Sequence, residues 1–356
     1  MSATIPELVA ATPFHERLTQ AGLNRIHQGK VRDTYALADK SLLLVVATDR
    51  VSIFDFVLPT LVPHKGELLT ALTVFWLDEV LRDVSHHLVA FGKGVDEYLP
   101  LSLRGLPELY QRALVVKKLS MVPMECIVRG YLTGSGWKSY QKTQQVCGIE
   151  LLAGLHDGSR IVPAPIFTPT TKAEAGHDEH LQTEAVIQQY GTALRDRSLA
   201  VYQRIAEVAE GKKLILADTK FEFGALRVPL GALSLLKSEG EVLADEVGTP
   251  DSSRFWDKDE WERACEQRCS PPPFDKEVVR NWGKTYFTPA SLFAPAHPSP
   301  GLDCLDPENL IHRDFVSRLT VPPQVLDETS LRYHTVLQRL TGLTLTEFQE
   351  QKLGVG

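Results

Sequence analysis

No apolar run in this 356-residue chain reaches the ~18–20 residues that span a bilayer, so the sequence predicts no membrane helix. Its first residues, MSATIPELVAATPFHERL, lack a basic segment followed by an apolar one, which removes the signal-peptide pattern. Excess positive charge is missing too: the formal net charge is -7, which argues against nucleic acid as the main partner. The five cysteines, Cys126, Cys147, Cys265, Cys269 and Cys304, are odd in number and form no Cys-x-x-Cys. That pattern suits free thiols in a reducing compartment better than a disulfide framework or a zinc site. A cytoplasmic protein is expected.

The chain is otherwise ordinary for a globular protein and long enough to bury a core without staples. Ser41 to Thr48, SLLLVVAT, reads as a buried strand. Over Gly66 to Val84 the period changes: Leu68, Leu69, Leu72, Phe75, Trp76 and Val80 predict an amphipathic helix with one core-facing stripe. ALVVKKL (113–119) and ECIVRGYL (125–132) read as strands. Between them LSMVP, with Pro123, reads as a hinge. Residues 153–177 are loop-like and long enough to suggest a functional cover. Helices are expected near 178–192, 195–210, 257–268 and 275–282, and again from about Val325. Strands in two groups with helices segregated between them predict an α+β fold rather than a doubly wound sheet.

The most informative segment is Leu214 to Gly224, LILADTKFEFG. As a strand, its period of two puts Asp218, Lys220 and Glu222 on one face, with Leu214 and Leu216 continuing that face inward. An edge strand with a solvated face would look the same. The neighbouring strand, EVLADEV, also delivers carboxylates, Asp245 and Glu246, after an apolar run. Two strands ending in acids suit magnesium, which takes one or two carboxylates plus water and phosphate oxygens. Lys220, between acids, is placed to neutralise a transferring phosphoryl group.

In VPMECIVRGYLTGS (122–135), Glu125, Ile127 and Arg129 share a strand face. The strand then runs into Thr133, Gly134, Ser135 and Gly136. This is either a plain hairpin turn or an anion-binding turn beside the planar guanidinium of Arg129. GKVRDTY (29–35) fails the P-loop pattern, since six residues separate Gly22 from Gly29 and Val31 follows Lys30. It reads as a surface hairpin, or as a cover over nucleotide phosphates. Asp49, Arg50, Ser52 and Asp55 crowd behind a buried strand, and Gly66 could leave helix N–H groups free for an anion, although turn and cap chemistry explains them equally well. His177-Asp178-Glu179-His180 is too sparse for zinc and better starts a helix. No nucleophile elbow or Ser-His-Asp pattern is readable.

VPMECIVRGYLTGS and LADTKFEFG resemble the two signature segments of phosphoribosylaminoimidazole-succinocarboxamide synthases. GKVRDTY, ATDRVSIFD, PHKGELLTALTVFW, VVKKLSMVPMEC, TPTTKAE with HDEH, and LADEVGTPDSSRFW match the same family in order, over residues 24–262. The resemblance implies two lobes, each a mainly antiparallel sheet with helices, related to ATP-grasp enzymes, with an ATP cleft between them. The lobes would be residues 1–120 and 121–356. It implies an ATP- and magnesium-dependent ligase of purine biosynthesis that joins carboxyaminoimidazole ribonucleotide to L-aspartate.

By the same resemblance Gly29, Lys30 and Arg32 cover the ATP phosphates. Lys117, Lys118 and the hinge from Met121 to Glu125 hold adenine and ribose. Glu222 and Asp245 lie at magnesium, and Asp218 and Lys220 lie in the same site. Arg129 and Ser135 contact the substrate's phosphate or carboxylate, while Asp49, Arg50, Ser52, His177, Asp178 and Arg254 line that cleft. The length resembles fungal-type members, which implies a monomer. Residues 269–313, rich in Pro and Ser, match nothing functional. A small-molecule kinase and a non-catalytic nucleotide-binding protein remain as alternatives, separable by whether ADP release depends on aspartate.

Overall fold

A computed structural model describes residues 15–172, 179–226, 240–289, 292 and 301–356. The first lobe is built on a five-stranded antiparallel sheet. Its strands are β1 (Arg25–Gln28), β2 (Arg32–Ala36), β3 (Leu42–Ala47), β6 (Leu88–Phe91) and β7 (Ala113–Lys117), in the order β1-β2-β3-β7-β6. Between β3 and β6 in the chain, β4 (Arg50–Ile53) and β5 (Phe56–Leu61) form a separate ribbon. The β-branched and leucine-rich run at β3 sits at the centre, as a half-buried pleated surface requires.

The chain crosses to the second sheet directly after β7, at the segment read as a hinge. β8 (Leu119–Met121) and β9 (Met124–Arg129) already belong to that sheet. A small hairpin follows, β10 (Gln145–Val146) with β11 (Ile149–Glu150), then β12 (Ile166–Phe167) and β13 (Thr170–Thr171), both paired to β9. The axis of the sheet is β14 (Leu214–Leu226), which pairs with β8, β9, β15 (Val242–Ala244) and β16 (Ser253–Asp257). A 13-residue strand with four neighbours has its backbone groups satisfied along its length and makes a rigid platform.

The helices in chain order are α1 (His15–Gln20), α2 (Lys65–Val74), α3 (Pro107–Arg112), α4 (Gly134–Thr143), α5 (Thr183–Tyr190), α6 (Ala193–Gly211), α7 (Lys258–Glu266), α8 (Glu277–Thr285), α9 (Leu310–Ser317), α10 (Pro323–Thr341) and α11 (Leu345–Phe348). The main core gathers α2, α6, α10 and the inner face of β14, through residues such as Leu72, Ile205, Val336 and Phe221. The antiparallel sheets and segregated helices are the α+β, two-lobed fold expected from the sequence.

Two expectations need correction. The helix at α2 is not amphipathic: every residue from Lys65 to Val74 is buried. The face that the pattern leaves for water is covered by the C-terminal helices α10 and α11, which fold back onto α2 across nearly the whole chain. In β14, Leu214 and Leu216 do not continue the face of Asp218. They share a core cluster with Phe221 and Phe223, while Ile215 and Ala217 face elsewhere. The cause is a bulge between Leu216 and Asp218 against β16, where one extra residue exchanges the two faces.

Candidate active site

Beyond the bulge the alternation holds. β9 and β14 pair with Asp218 opposite Arg129 and Lys220 opposite Ile127. Glu125, Arg129, Asp218, Lys220 and Glu222 therefore line one face. Lys220 Nζ donates to Glu125 Oε1 at 2.7 Å and to Glu222 Oε1 at 3.3 Å. Lys172, from the loop after β13, contacts the other oxygen of Glu222. Burial alone would lower the Lys220 pKa, but Glu222 and Glu125, with Asp245 behind them, hold it well above the ordinary lysine value. Lys220 is thus a fixed positive charge, unsuited to act as a base.

Register places the second acid. Glu222 lies opposite Ala244, so Asp245 emerges one residue beyond it at the end of β15, in a left-handed conformation with φ 57°. Arg32, from the first lobe, reaches across: its Nη1 lies 2.9 Å from Asp245 Oδ1 and its Nη2 2.7 Å from Glu246 Oε2. Burial opposes the charge on Arg32, but Glu246 and Asp245 keep its pKa above the ordinary arginine value. The described residues contain no group of three or more His, Cys, Asp or Glu able to cage a metal alone. Hard carboxylates on neighbouring strands, converging on Lys220, still fit magnesium, which completes its shell with water and phosphate oxygens.

At the other end of the row lies a pair of arginines on one carboxylate. Arg129, almost fully buried, donates from Nη1 to Asp218 Oδ2 at 2.6 Å, from Nη2 to Ser135 Oγ at 3.0 Å and from Nε to Thr168 Oγ1 at 3.0 Å. Arg254 Nη1 reaches the same Asp218 oxygen at 2.6 Å. Two guanidinium groups share this one carboxylate, and Glu277, Asp275 and Asp157 also act on Arg254. The TGSG segment is neither a hairpin turn nor a loose loop. It opens α4, with Thr133 at the N-cap, so free N–H groups of the first turn face the two arginines' neighbourhood. A side chain at Gly134 would lie 2.5 Å from the Arg254 guanidinium, and one at Gly136 would crowd Arg129 at 3.1 Å, so both glycines keep room for the arginines.

Other expected residues lie around this row, two of them engaged in bracing contacts. Arg50 is fully buried under the β1–β2 hairpin, where Nη2 donates to Gly29 O at 3.0 Å and to Asp33 Oδ1 at 2.6 Å. Asp49 accepts from Gly66 N at 2.9 Å and is clamped by Arg112 at 2.7 Å, so the N–H of Gly66 is already used. Lys30 pairs with Asp55 at 2.5 Å, and Ser52 sits half-buried in β4. Lys117 Nζ donates to His86 O at 3.3 Å, and Lys118 is half-buried beside it. Met121, 41% exposed, lies opposite Gly224 at the crossover between the sheets. His177 and Asp178 fall outside the described residues.

Several participants were not singled out in the sequence. Lys172 stands within TPTTKAE, and only the pairing of β13 with β9 shows that it reaches Glu222. Lys65, fully buried, pairs with Asp251 at 2.6 Å, and Tyr333 of α10 donates to the same carboxylate at 2.5 Å. Nothing local marks these contacts, which join segments far apart in sequence.

A sequence model of the SAICAR synthetase family matches residues 25–290. The chain belongs to that family. The phosphoribosylaminoimidazole-succinocarboxamide synthase of Thermobifida fusca is 43% identical over 330 residues, covering 91% of this chain and 92% of that protein. The synthase of Corynebacterium ammoniagenes is 42% identical over 329 residues, covering 91% and 96%. Long members are thus found in bacteria as well as in yeast. A SAICAR synthase from Saccharomyces cerevisiae, solved in complex with SAICAR, is 34% identical and superposes with a TM-score of 0.69 over 90% of this chain and 96% of that one.

Proposed function

We propose that the face formed by Glu125, Arg129, Asp218, Lys220 and Glu222 is the reaction surface of an ATP-dependent carbon–nitrogen ligase. The family joins carboxyaminoimidazole ribonucleotide to L-aspartate, giving SAICAR, ADP and phosphate, and membership gives this chain that activity. ATP lies between the lobes, with Gly29, Lys30 and Arg32 over its phosphates and Lys117, Lys118 and Met121 to Glu125 along adenine and ribose. The ribonucleotide's phosphate sits at Arg129, Ser135, Arg254 and the α4 N-terminus, a site whose helix N–H groups and two guanidinium groups favour an anion. Glu222 and Asp245 would hold Mg²⁺, which when bound offsets charge on the nucleotide phosphates.

A carboxylate is a poor acyl donor because its leaving group would be an oxide. Transfer of the γ-phosphoryl group from ATP to a carboxylate oxygen gives an acyl phosphate and ADP. The aspartate amine, after losing a proton, attacks the acyl carbon and expels phosphate. The protein's part is orientation and charge neutralisation. Lys220 holds a permanent positive charge beside the transferring group, and Arg129 with Arg254 fixes the far end of the ribonucleotide. The observation that carries this reading is the ammonium of Lys220 held among Glu125, Glu222 and Asp245, with Lys172 on the other oxygen of Glu222. Such a charge suits developing phosphoryl negativity better than it suits a plain surface strand.

Oxygen-18 placed in the substrate carboxylate tests the acyl phosphate: one labelled oxygen should appear in the released phosphate. Unlabelled phosphate would refute the step. We also propose the lobe division near residue 120, a monomeric state and a cytoplasmic location. The free state of all five cysteines agrees with the last of these, and among the described residues no helix is long and apolar enough to cross a membrane.

A further inference from the structure

Just before β16 the chain makes a turn over residues 249–252, closed by Ser252 N donating to Thr249 O at 3.1 Å. Two parts of the site hang on it. Its backbone holds Lys220, whose N–H donates to Ser252 O at 2.9 Å. Its side chains hold the Arg32 cluster: Thr249 Oγ1 donates to Glu246 Oε2, the same oxygen that lies 2.7 Å from Arg32 Nη2. Asp251 N donates to that threonine hydroxyl at 3.3 Å. A shift of this turn therefore moves both the backbone of the fixed cation and the carboxylate on which Arg32 rests.

Asp251 fixes the turn in place. Each of its carboxylate oxygens has a partner from a distant part of the chain. Lys65 Nζ, at the start of α2, donates to Oδ2 at 2.6 Å, and the Tyr333 hydroxyl, from α10, donates to Oδ1 at 2.5 Å. The Lys65 and Asp251 side chains are buried, and so is Tyr333. Burial and Asp251 raise the Tyr333 phenol well above its ordinary value, so the hydroxyl keeps its proton and stays a donor. A carboxylate enclosed in this way depends on both donors, because water does not replace one that is lost.

The helix itself is docked by other means. Ser330 Oγ donates to Pro63 O at 2.9 Å, Arg339 Nη1 donates to Asp257 Oδ2 at 2.7 Å, and Val336, Leu337 and Leu340 lie in the main core. The Tyr333 ring shares that core, and only its oxygen serves the turn. The ribonucleotide end is held independently. From Ser253 the strand pairs with β14, with Ser253 opposite Thr219 and Arg254 opposite Asp218.

We infer that Tyr333 is a positioning residue for phosphoryl transfer: through Asp251 it holds the 249–252 turn, and with it Lys220 and the Glu246–Arg32 pair, against the nucleotide phosphates. The inference rests on the ligase reading above, in which Lys220 and Arg32 serve those phosphates. It gives the C-terminal helix a part in the reaction as well as in the core.

Tyr333→Phe removes one oxygen and keeps the ring. It is compared with the wild type and with Arg339→Met, which breaks the other polar tie of α10 to the second sheet, by steady-state kinetics with each substrate varied in turn and by calorimetric titration with Mg·ADP. In Tyr333→Phe the KM for ATP should rise ~3–10-fold and ADP should bind more weakly by a similar factor, as loss of a hydrogen bond to a charged group predicts, with the KM for the ribonucleotide and for aspartate within ~2-fold of wild type. Arg339→Met should leave all three KM values within ~2-fold, since its partly exposed pair contributes little. An unchanged KM for ATP in Tyr333→Phe overturns the inference. So does an equal rise in all three KM values, or an equal rise for ATP in Arg339→Met, since either marks a general loosening. If Tyr333→Phe does not fold, Thr249→Val decides, because it cuts the same chain of contacts one step closer to Arg32. A rise confined to the KM for ATP supports the inference there, and an unchanged value overturns it. The ligase reading fails separately, through a wild-type enzyme whose ADP release ignores aspartate.

Discussion

Arg32 Nη1 lies 2.9 Å from Asp245 Oδ1, joining a hairpin of the first lobe to the end of a strand in the second. These residues are 213 positions apart, and each is assigned to the triphosphate region of the nucleotide site. The pair ties the hairpin to the end of β15 where the nucleotide phosphates are proposed to lie. Arg32→Met should therefore raise the KM for ATP by ~10-fold or more, as loss of a charged contact predicts, and leave the KM for aspartate in place. A change confined to aspartate would contradict the assignment.

Glu222→Gln keeps the shape of the side chain and removes its charge. It should impair Mg·ATP turnover, most strongly at limiting magnesium, with circular dichroism unchanged. Ordinary activity at limiting magnesium would remove Glu222 from the metal site.

Lys220→Ala removes the fixed cation among Glu125, Glu222 and Asp245. If Lys220 acts on charge that develops in the transition state, kcat should fall ~10²–10³-fold while nucleotide affinity changes far less. An unchanged kcat would refute that role.

Arg129 is nearly fully buried and bonded to Asp218, Ser135 and Thr168. Arg129→Met strands part of that network and should lower unfolding free energy by ~3–5 kcal/mol, the usual result of breaking a buried pair from one side. Ser135→Ala removes only one acceptor and should cost much less stability, while raising the KM for the ribonucleotide. Urea denaturation distinguishes the two.

Burial pushes the Asp275 carboxyl up to about 7, against the pull of Arg254. An unfolded carboxyl titrates near ~3.9, so the folded chain binds this proton more tightly than the unfolded chain does. The group's contribution is fully present below about pH 4 and is lost as pH rises to about 7. Between pH 5 and 8 the wild type should lose stability on the order of 1–4 kcal/mol from this group, and Asp275→Asn should show a flatter profile. Parallel profiles for the two proteins would contradict it.

The alternation that places Asp218, Lys220 and Glu222 together was legible because strand period is a local property. The bulge at Leu216–Asp218 was not, since an extra residue in a strand leaves no mark in an apolar run. For the same reason α2 read as amphipathic: its polar positions, Lys65, Glu67, Thr70 and Thr73, are buried by partners from elsewhere. Glu67, for instance, accepts from Arg112 and from Gln349 near the C-terminus. Arg50 looked like a cleft residue because a polar group after a buried strand has the same local sequence whether it faces a ligand or braces a hairpin. Lys172 and Lys65 acquire meaning only when distant segments meet.

The central claim is that phosphoryl transfer in this cleft serves amide-bond formation. ADP release measured with ATP, magnesium and carboxyaminoimidazole ribonucleotide, with and without L-aspartate, tests it most directly. The account predicts ADP and SAICAR in equal amounts when aspartate is present, and far slower ADP release without it. Equal ADP release in both cases, with a stable phosphorylated product accumulating, would contradict it and identify a kinase.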